Sequence, residues 1–153
     1  MKKFSRAIAS LFGVGYAPFA SGSAASFVGL VVVYYFIRGN IALHSLMIIL
    51  SFIAGFLTIK QAEKEFGRED PREIVLDEFI GMLIALYLLP LKPVIVAGAY
   101  FFFRLFDVVK PWPIFKLEKL KSPHGIILDD VLAAIYANLT MQGIYYFVFE
   151  FSK

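Results

Sequence analysis

The sequence predicts an all-α fold, a compact integral-membrane bundle of about four to five apolar helices. Hydrophobic residues make up 59% of the 153-residue chain, and charged residues make up only 18%. The mean hydropathy is +0.74, and a water-soluble domain of this size has too little polar surface to cover so much apolar material. No repeat or low-complexity segment divides the chain, so residues 1–153 are expected to form one membrane-embedded domain.

Five apolar segments are candidate helices of this bundle. They occupy residues 27–37, 41–59, 74–89, 94–109 and 126–149. Several are shorter than the roughly 20 residues of a typical membrane span. Helix tilt or a compact bundle would accommodate that shortness.

The basic residues are distributed unevenly between the ends of these segments. Eleven lie at the N-terminal end or in the long loops at residues 60–73 and 110–125, namely Lys2, Lys3, Arg6, Lys60, Lys64, Arg68, Arg72, Lys110, Lys116, Lys119 and Lys121. Three lie on the opposite side, Arg38, Lys92 and Lys153. Because lysine and arginine favour the cytoplasmic side, the N-terminus and both long loops are expected in the cytoplasm.

Five carboxylates with apolar neighbours are predicted to meet at that cytoplasmic face. They are Asp77, Glu78, Asp107, Asp129 and Asp130, each near the cytoplasmic end of an apolar segment. Like charges this close disfavour one another unless a cation neutralises them, and Mg²⁺ prefers oxygen ligands. Neighbours on a helix point about 100° apart, so one of each adjacent pair can face the metal. The alternative is that each pair only complements a helix dipole.

Two basic residues beside these acids are predicted to bind phosphate. Arg104 lies three residues before Asp107 and therefore on the same helical face, and Lys110 follows where Pro111 should end the helix. The alternative is an internal Arg104–Asp107 ion pair with a Lys110 that only extends towards water. Trp112 is expected to be an interfacial anchor.

The Gly/Ser-rich segment at residues 13–26 precedes the first apolar segment on the same side. Backbone N–H groups and the hydroxyls of Ser21, Ser23 and Ser26 near a helix start suit an anion, and Gly22, Ser23 and Ser26 are predicted to bind phosphate. The segment matches neither a P-loop nor a dinucleotide fingerprint, and the alternative is a flexible lead-in to the helix.

Other chemistries are excluded or unsupported by the composition. The chain contains no cysteine, which excludes disulfides, zinc–thiolate sites and cysteine nucleophiles. It has no Gly-x-Ser-x-Gly motif and no D-x-D-x-[TV] pattern, so nothing indicates serine hydrolysis or a phospho-aspartate. The net charge of +3 is modest, and no nucleic-acid partner is expected.

Three segments, DPREIVLDEFIGMLIAL, FFFRLFDVVKPWPI and GIILDDVLAAIYANL, resemble phosphatidylglycerophosphatase A in order and spacing. The upstream GYAPFASGSAAS resembles the P-G-T-x-G-S segment of that family, and the resemblance runs from about residue 13 to 139. It implies a magnesium-dependent phosphatase of the bacterial inner membrane, multi-pass and with its site facing the cytoplasm. The implied substrate is the lipid phosphatidylglycerophosphate, and the product is phosphatidylglycerol.

The resemblance carries the family's functional positions onto this chain. Its D-E pair falls on Asp77 and Glu78, its R, D and K on Arg104, Asp107 and Lys110, and its D-D pair on Asp129 and Asp130. The chain departs from the family pattern at Ser21, Ser23, Ala25, Ser122, Pro123 and Ala134. Every acidic and basic motif position is retained, so the departures affect loop geometry more than chemistry.

Two other functions are compatible with parts of the pattern. A phosphatidyl- or CDP-alcohol transferase would also use magnesium, but its D-G-x-x-A-R pattern is absent. An ion or proton transporter would use carboxylates within the membrane. Transporter sites lie near the midplane of discontinuous helices, whereas these acids are predicted at one interface.

Overall fold

The computed structural model describes residues 2–150, and the side chains of residues 4–148 among them. Lys153 therefore lies outside the described residues, as do the side chains of Lys2 and Lys3. Every regular element in the described range is helical. The α-helices are α1 (Lys2–Ala9), α2 (Ser21–Val31), α3 (Ile41–Phe66), α4 (Leu76–Ala85), α5 (Pro93–Val109), α6 (Ile114–Leu117) and α7 (His124–Tyr145). A 3₁₀ helix spans Leu11–Tyr16, and π-helical turns extend α2 over Val32–Ile37 and α7 over Tyr146–Glu150.

Helix α4 lies at the centre of the fold and packs against α2, α3, α5 and α7. Its side chains are buried almost all round, and Ile80, Met82 and Leu83 are fully enclosed. Its apolar character therefore serves the protein core.

The prediction of a spanning helix over residues 74–89 is wrong in length. Helix α4 has 10 residues, a length of about 15 Å, which is half the hydrocarbon thickness of a bilayer. The helix ends because the chain turns at Leu88, which has a left-handed φ of 59°, and then reaches Pro90 and Pro93.

Two helices of the described chain are long and apolar enough to cross a membrane. They are α3, with a mean hydropathy of 2.1, and α7 with its extension as far as Val148, with a mean hydropathy of 1.3. Much of α3 is also exposed on its outer side, including Ile49, Ile53 and Leu57. The segment predicted at residues 41–59 is confirmed as a helix and continues to Phe66, where Gly67 adopts the left-handed conformation that ends it.

Small residues allow the helices to approach one another closely beneath the predicted acids. A Cβ atom on Gly81 of α4 would overlap the ring of Phe103 of α5. Ala133 and Ala134 of α7 are fully buried. Gly81 therefore leaves room for Phe103 of α5 to pack against α4.

Candidate active site

Three carboxylates from two helices form the centre of the candidate site. Asp77 and Glu78 lie in the first turn of α4, and Asp130 lies in the second turn of α7. One oxygen from each of the three lies within 4.8 Å of the others. Because α4 and α7 pack side by side, residues 52 positions apart in the chain meet at the same point.

Each of these carboxylates has one enclosed oxygen without a hydrogen bond from the part of the chain that the structure describes. Asp77 Oδ1, Glu78 Oε2 and Asp130 Oδ2 are each buried with no hydrogen-bond partner among the described residues. Buried charges of one sign without partners are strongly unfavourable. The arrangement therefore fits a cation bound between the three side chains.

The chemistry of the donor set fits a hard cation, the class to which magnesium belongs. All three ligands are carboxylate oxygens, which hard cations such as Mg²⁺ prefer over softer metals. In the first pair both Asp77 and Glu78 contribute an oxygen, whereas in the second pair only Asp130 does. Both members of the first pair, but only one member of the second pair, are therefore candidate ligands of one cation.

Asp129 lies outside the three-carboxylate group and contacts Lys110. The Lys110 Nζ atom donates a hydrogen bond of 2.6 Å to Asp129 Oδ2 and lies 3.2 Å from Glu118 Oε1. Burial alone would lower the pKa of Lys110, but the hydrogen bonds and charges of Asp129 and Glu118 outweigh it and raise that pKa above its ordinary value. Lys110 is therefore a permanent cation at the edge of the site.

Arg104 forms an ion pair with Asp107 one helical turn further along α5. The distance from Arg104 Nη1 to Asp107 Oδ2 is 2.8 Å, although Nη1 makes no hydrogen bond of good geometry and is buried. The internal pair considered as an alternative is therefore present. Nη1 is engaged by Asp107, and the remaining donors of the Arg104 guanidinium are on Nε and Nη2.

The N-terminal turn of α2 borders the same carboxylates. Gly22 lies against Glu78, because a Cβ atom on Gly22 would collide with Glu78 Oε1. The Ser26 hydroxyl donates to the Gly22 carbonyl at 2.9 Å, and the Ser23 carbonyl accepts from the Tyr100 hydroxyl at 3.2 Å. Gly22 is thus brought to the site, while the Ser26 hydroxyl is directed at its own helix.

Six of the predicted residues line a cavity of about 300 Å³. Its described lining comprises Ser21, Asp70, Arg72, Ile74, Asp77, Glu78, Asp107, Lys110, Ile126, Asp129 and Asp130. All five predicted acids and Lys110 are therefore brought together. Ser21 contributes the one hydroxyl of this described lining, and Arg104, Gly22, Ser23 and Ser26 do not belong to it.

Asp70 is the acidic residue that the sequence-based prediction missed. It lies in the loop between α3 and α4, and its backbone N–H donates a 3.0 Å hydrogen bond to Glu63 Oε1. Desolvation raises the pKa of Asp70, and the positive charge of Lys110 opposes that change. Because the Asp70 side chain is exposed to solvent, water weakens both effects. The sequence contains one indication of this residue, because Asp70 directly precedes Pro71 in the segment that leads to Asp77.

Comparisons with known proteins bear on the identity of this site. A family model described as Phosphatidylglycerophosphatase A matches residues 7–145. A Haemophilus influenzae protein named phosphatidylglycerophosphatase A is 40% identical over 101 residues, 65% of this chain and 62% of the relative. The Escherichia coli K12 protein of the same name is 34% identical over 139 residues, 90% of this chain and 78% of the relative.

A further relative, from Bacteroides thetaiotaomicron, carries the provisional name phosphatidylinositol-3-phosphatase. It is 34% identical over 134 residues, 82% of this chain and 84% of the relative. No solved structure matches the chain.

Proposed function

Because the chain belongs to the phosphatidylglycerophosphatase A family and is a phosphatase, we propose that it hydrolyses the terminal phosphate of phosphatidylglycerophosphate in a magnesium-dependent reaction. The observation that carries this proposal is the meeting of Asp77, Glu78 and Asp130 within 4.8 Å, with their inner oxygens unpartnered. Three carboxylates in this arrangement would hold a divalent cation. A cation with arginine and lysine side chains nearby would bind the phosphate of a phosphomonoester.

Asp77, Glu78 and Asp130 would hold the metal, with Asp107 and Asp129 close by in the same cavity. When bound, magnesium would neutralise charge on the phosphate and polarise a water molecule. Gly22 keeps the backbone of α2 close to Glu78, which fixes the position of that carboxylate.

The basic side chains would bind the non-bridging phosphate oxygens. Lys110 lines the cavity and keeps its charge beside Asp129, whereas Arg104 lies outside the described lining and would have to turn from Asp107 towards the phosphate. Both would stabilise the charge on phosphate as the ester bond breaks. Asp107 or Asp129 would take one proton of the attacking water as its oxygen bonds to phosphorus. The same carboxylic acid or solvent water would return a proton to the glycerol oxygen as its bond to phosphorus breaks, which gives the alcohol and phosphate.

The proposed location is the bacterial cytoplasmic membrane, with several helices in the bilayer and the cavity facing the cytoplasm. The length and hydropathy of α3 and α7 support a membrane location. The cavity is lined by the loop before α4 and by Lys110, and these belong to the two lysine- and arginine-rich loops. Positively charged loops favour the cytoplasmic side.

The test is phosphate release from phosphatidylglycerophosphate by purified protein in detergent. We expect turnover with magnesium, loss of turnover in EDTA and recovery when excess magnesium is added. Full turnover in EDTA would remove the metal from the proposal. Ion flux through protein-containing vesicles without phosphate release would favour the transporter alternative.

A second candidate substrate is phosphatidylinositol 3-phosphate. The observation that favours it is the name of the Bacteroides thetaiotaomicron relative. Both lipids carry a phosphomonoester on a polyol headgroup. Parallel assays with both substrates at matched surface concentration would distinguish them, and the higher kcat/KM would identify the preferred headgroup.

A further inference from the structure

The size of the cavity limits which part of a lipid substrate can enter it. At about 300 Å³ it lies at the lower end of the volumes that enclose drug-sized ligands. It holds a phosphate group but cannot enclose a lipid headgroup with its diacylglycerol. The phosphate would therefore lie at the buried carboxylates, and the alcohol part of the ester would lie at the mouth.

Asp70 is placed at that mouth. Its side chain is exposed, and it lines both this cavity and a neighbouring one of about 580 Å³. Its carboxylate makes no hydrogen bond or ion pair with any residue that the structure describes, although Lys110 and Glu118 are near enough to act on it electrostatically. It is also separate from the three-carboxylate group.

The loop holds Asp70 in a defined position. Glu63, which is buried in the last turns of α3, accepts the Asp70 N–H, and the next residue, Pro71, is fully buried. The Ser21 hydroxyl donates a 2.8 Å hydrogen bond to the Arg72 carbonyl. Asp70 itself has a φ of 44°, a left-handed conformation that aspartate and asparagine tolerate better than most residues.

We propose that Asp70 accepts a hydrogen bond from a hydroxyl of the leaving polyol and so makes the site specific for phosphate esters of polyol headgroups. An ionised carboxylate only accepts hydrogen bonds, and a polyol presents a hydroxyl on the carbon next to the phosphorylated one. The negative charge of Asp70 would also disfavour phosphate at the mouth relative to a cation-loaded group of Asp77, Glu78 and Asp130. This inference rests on the proposed function.

The test compares two lipid substrates that differ by one hydroxyl. One is phosphatidylglycerophosphate, and the other has a 1,3-propanediol headgroup that carries the same terminal phosphate. The variants are Asp70→Gly and Asp70→Asn, because both residues accept the left-handed backbone. Glu69→Gln is the matched control, since Glu69 is exposed, adjacent in the chain and lines only the neighbouring cavity.

We expect the wild-type protein to prefer the hydroxyl-bearing lipid by about tenfold or more in kcat/KM, as one hydrogen bond to a charged group provides. Asp70→Gly should abolish the preference. Asp70→Asn should keep part of it, because its amide oxygen is still an acceptor. Glu69→Gln should match the wild type.

Three results would overturn the proposal. If Asp70→Gly keeps the wild-type preference for the hydroxyl-bearing lipid, another group binds the hydroxyl. Equal loss of activity on both lipids in Asp70→Asn would indicate proton transfer instead. If the wild type releases no phosphate from either lipid, the proposed function fails and this inference with it.

Discussion

Gly22 of α2 lies directly against the carboxylate of Glu78 of α4, so that a methyl group at position 22 would collide with Glu78 Oε1. We predict that Gly22→Ala displaces the Glu78 carboxylate from the three-carboxylate group and lowers kcat by about 100-fold. This is the effect expected when a group at a reacting centre is misplaced by about 1 Å. The backbone at Gly22 has no left-handed φ that would exclude alanine. Phosphate release under saturating substrate measures the effect.

The control for this substitution is Gly143→Ala in α7. Nothing lies within 4 Å of a Cβ atom at Gly143, and alanine favours a helix over glycine by up to about 1 kcal/mol. We therefore expect unchanged kcat. Equal activity of Gly22→Ala and wild type would show that Glu78 is free to move without loss.

Asp130 provides a test of the metal site that does not depend on activity. Magnesium at 100 times its Kd should stabilise the wild-type protein by about 2.7 kcal/mol, because a ligand that binds only the folded state shifts the unfolding equilibrium. Asp130→Asn removes one of the three charged ligands, so most of this stabilisation should be lost. Thermal unfolding in EDTA and in a magnesium series measures it.

In EDTA, Asp130→Asn should be at least as stable as the wild-type protein. Removal of one charge from three carboxylates within 4.8 Å relieves repulsion, so Asp130→Asn should unfold at an equal or higher temperature than the wild type. Magnesium stabilisation of Asp130→Asn equal to that of the wild type would place the cation elsewhere.

Gly81 and Phe103 test the packing beneath the site. Gly81→Ala should destabilise the protein by about 1–3 kcal/mol, because its Cβ atom would overlap the fully buried Phe103 ring. Gly98→Ala is the comparison, since its Cβ atom would meet only the flexible end of Met141. Denaturant midpoints should fall further for Gly81→Ala, and equal midpoints would contradict the packing argument.

The sequence predicted those parts of the fold and site that follow from local pattern. The helix of residues 41–59 follows from a largely apolar run without aspartate, glutamate, lysine or arginine. The meeting of Asp77 with Asp130 follows from the expectation that both acids lie at one membrane face. The length of α4 did not follow, because an apolar core helix and an apolar membrane helix have the same composition. Its burial depends on four neighbouring helices, which no local pattern encodes.

Asp70 was missed for a related reason. It belongs to no apolar segment, and its place at the cavity mouth depends on contacts with Glu63 and on the Ser21–Arg72 hydrogen bond. These contacts join residues from three parts of the chain. Conversely, Ser26 looked suited to an anion by residue type, but its hydroxyl is directed at the Gly22 carbonyl.

Lys110 is predicted to stabilise the fold through Asp129. Lys110→Met should cost about 1.5–3 kcal/mol, the contribution of a hydrogen bond between charged groups, because Asp129 is buried. The pKa of Lys110 is raised in the folded state. Its contribution is therefore complete below the unfolded pKa of about 10.4 and is lost only as the pH rises through the folded pKa.

The difference in stability between wild type and Lys110→Met should therefore be the same at pH 7 and pH 9. Denaturant unfolding at both pH values measures it. Lys64→Met is the control, because Lys64 is exposed on α3, and it should change stability by less than about 0.5 kcal/mol. A difference that shrinks between pH 7 and pH 9 would contradict the raised pKa.

Trp112 provides a direct test of where the membrane interface lies. It is the one tryptophan of the chain, it is 69% exposed, and Lys116 Nζ lies 5.7 Å from its ring. Tryptophan favours the headgroup level of a bilayer, where its ring is partly buried and its N–H still finds partners. In vesicles we expect its fluorescence to be quenched most strongly by lipids brominated at shallow positions on the acyl chain. Trp112→Phe should remove the signal, and quenching by aqueous acrylamide but by no brominated lipid would place this loop in water, away from the membrane.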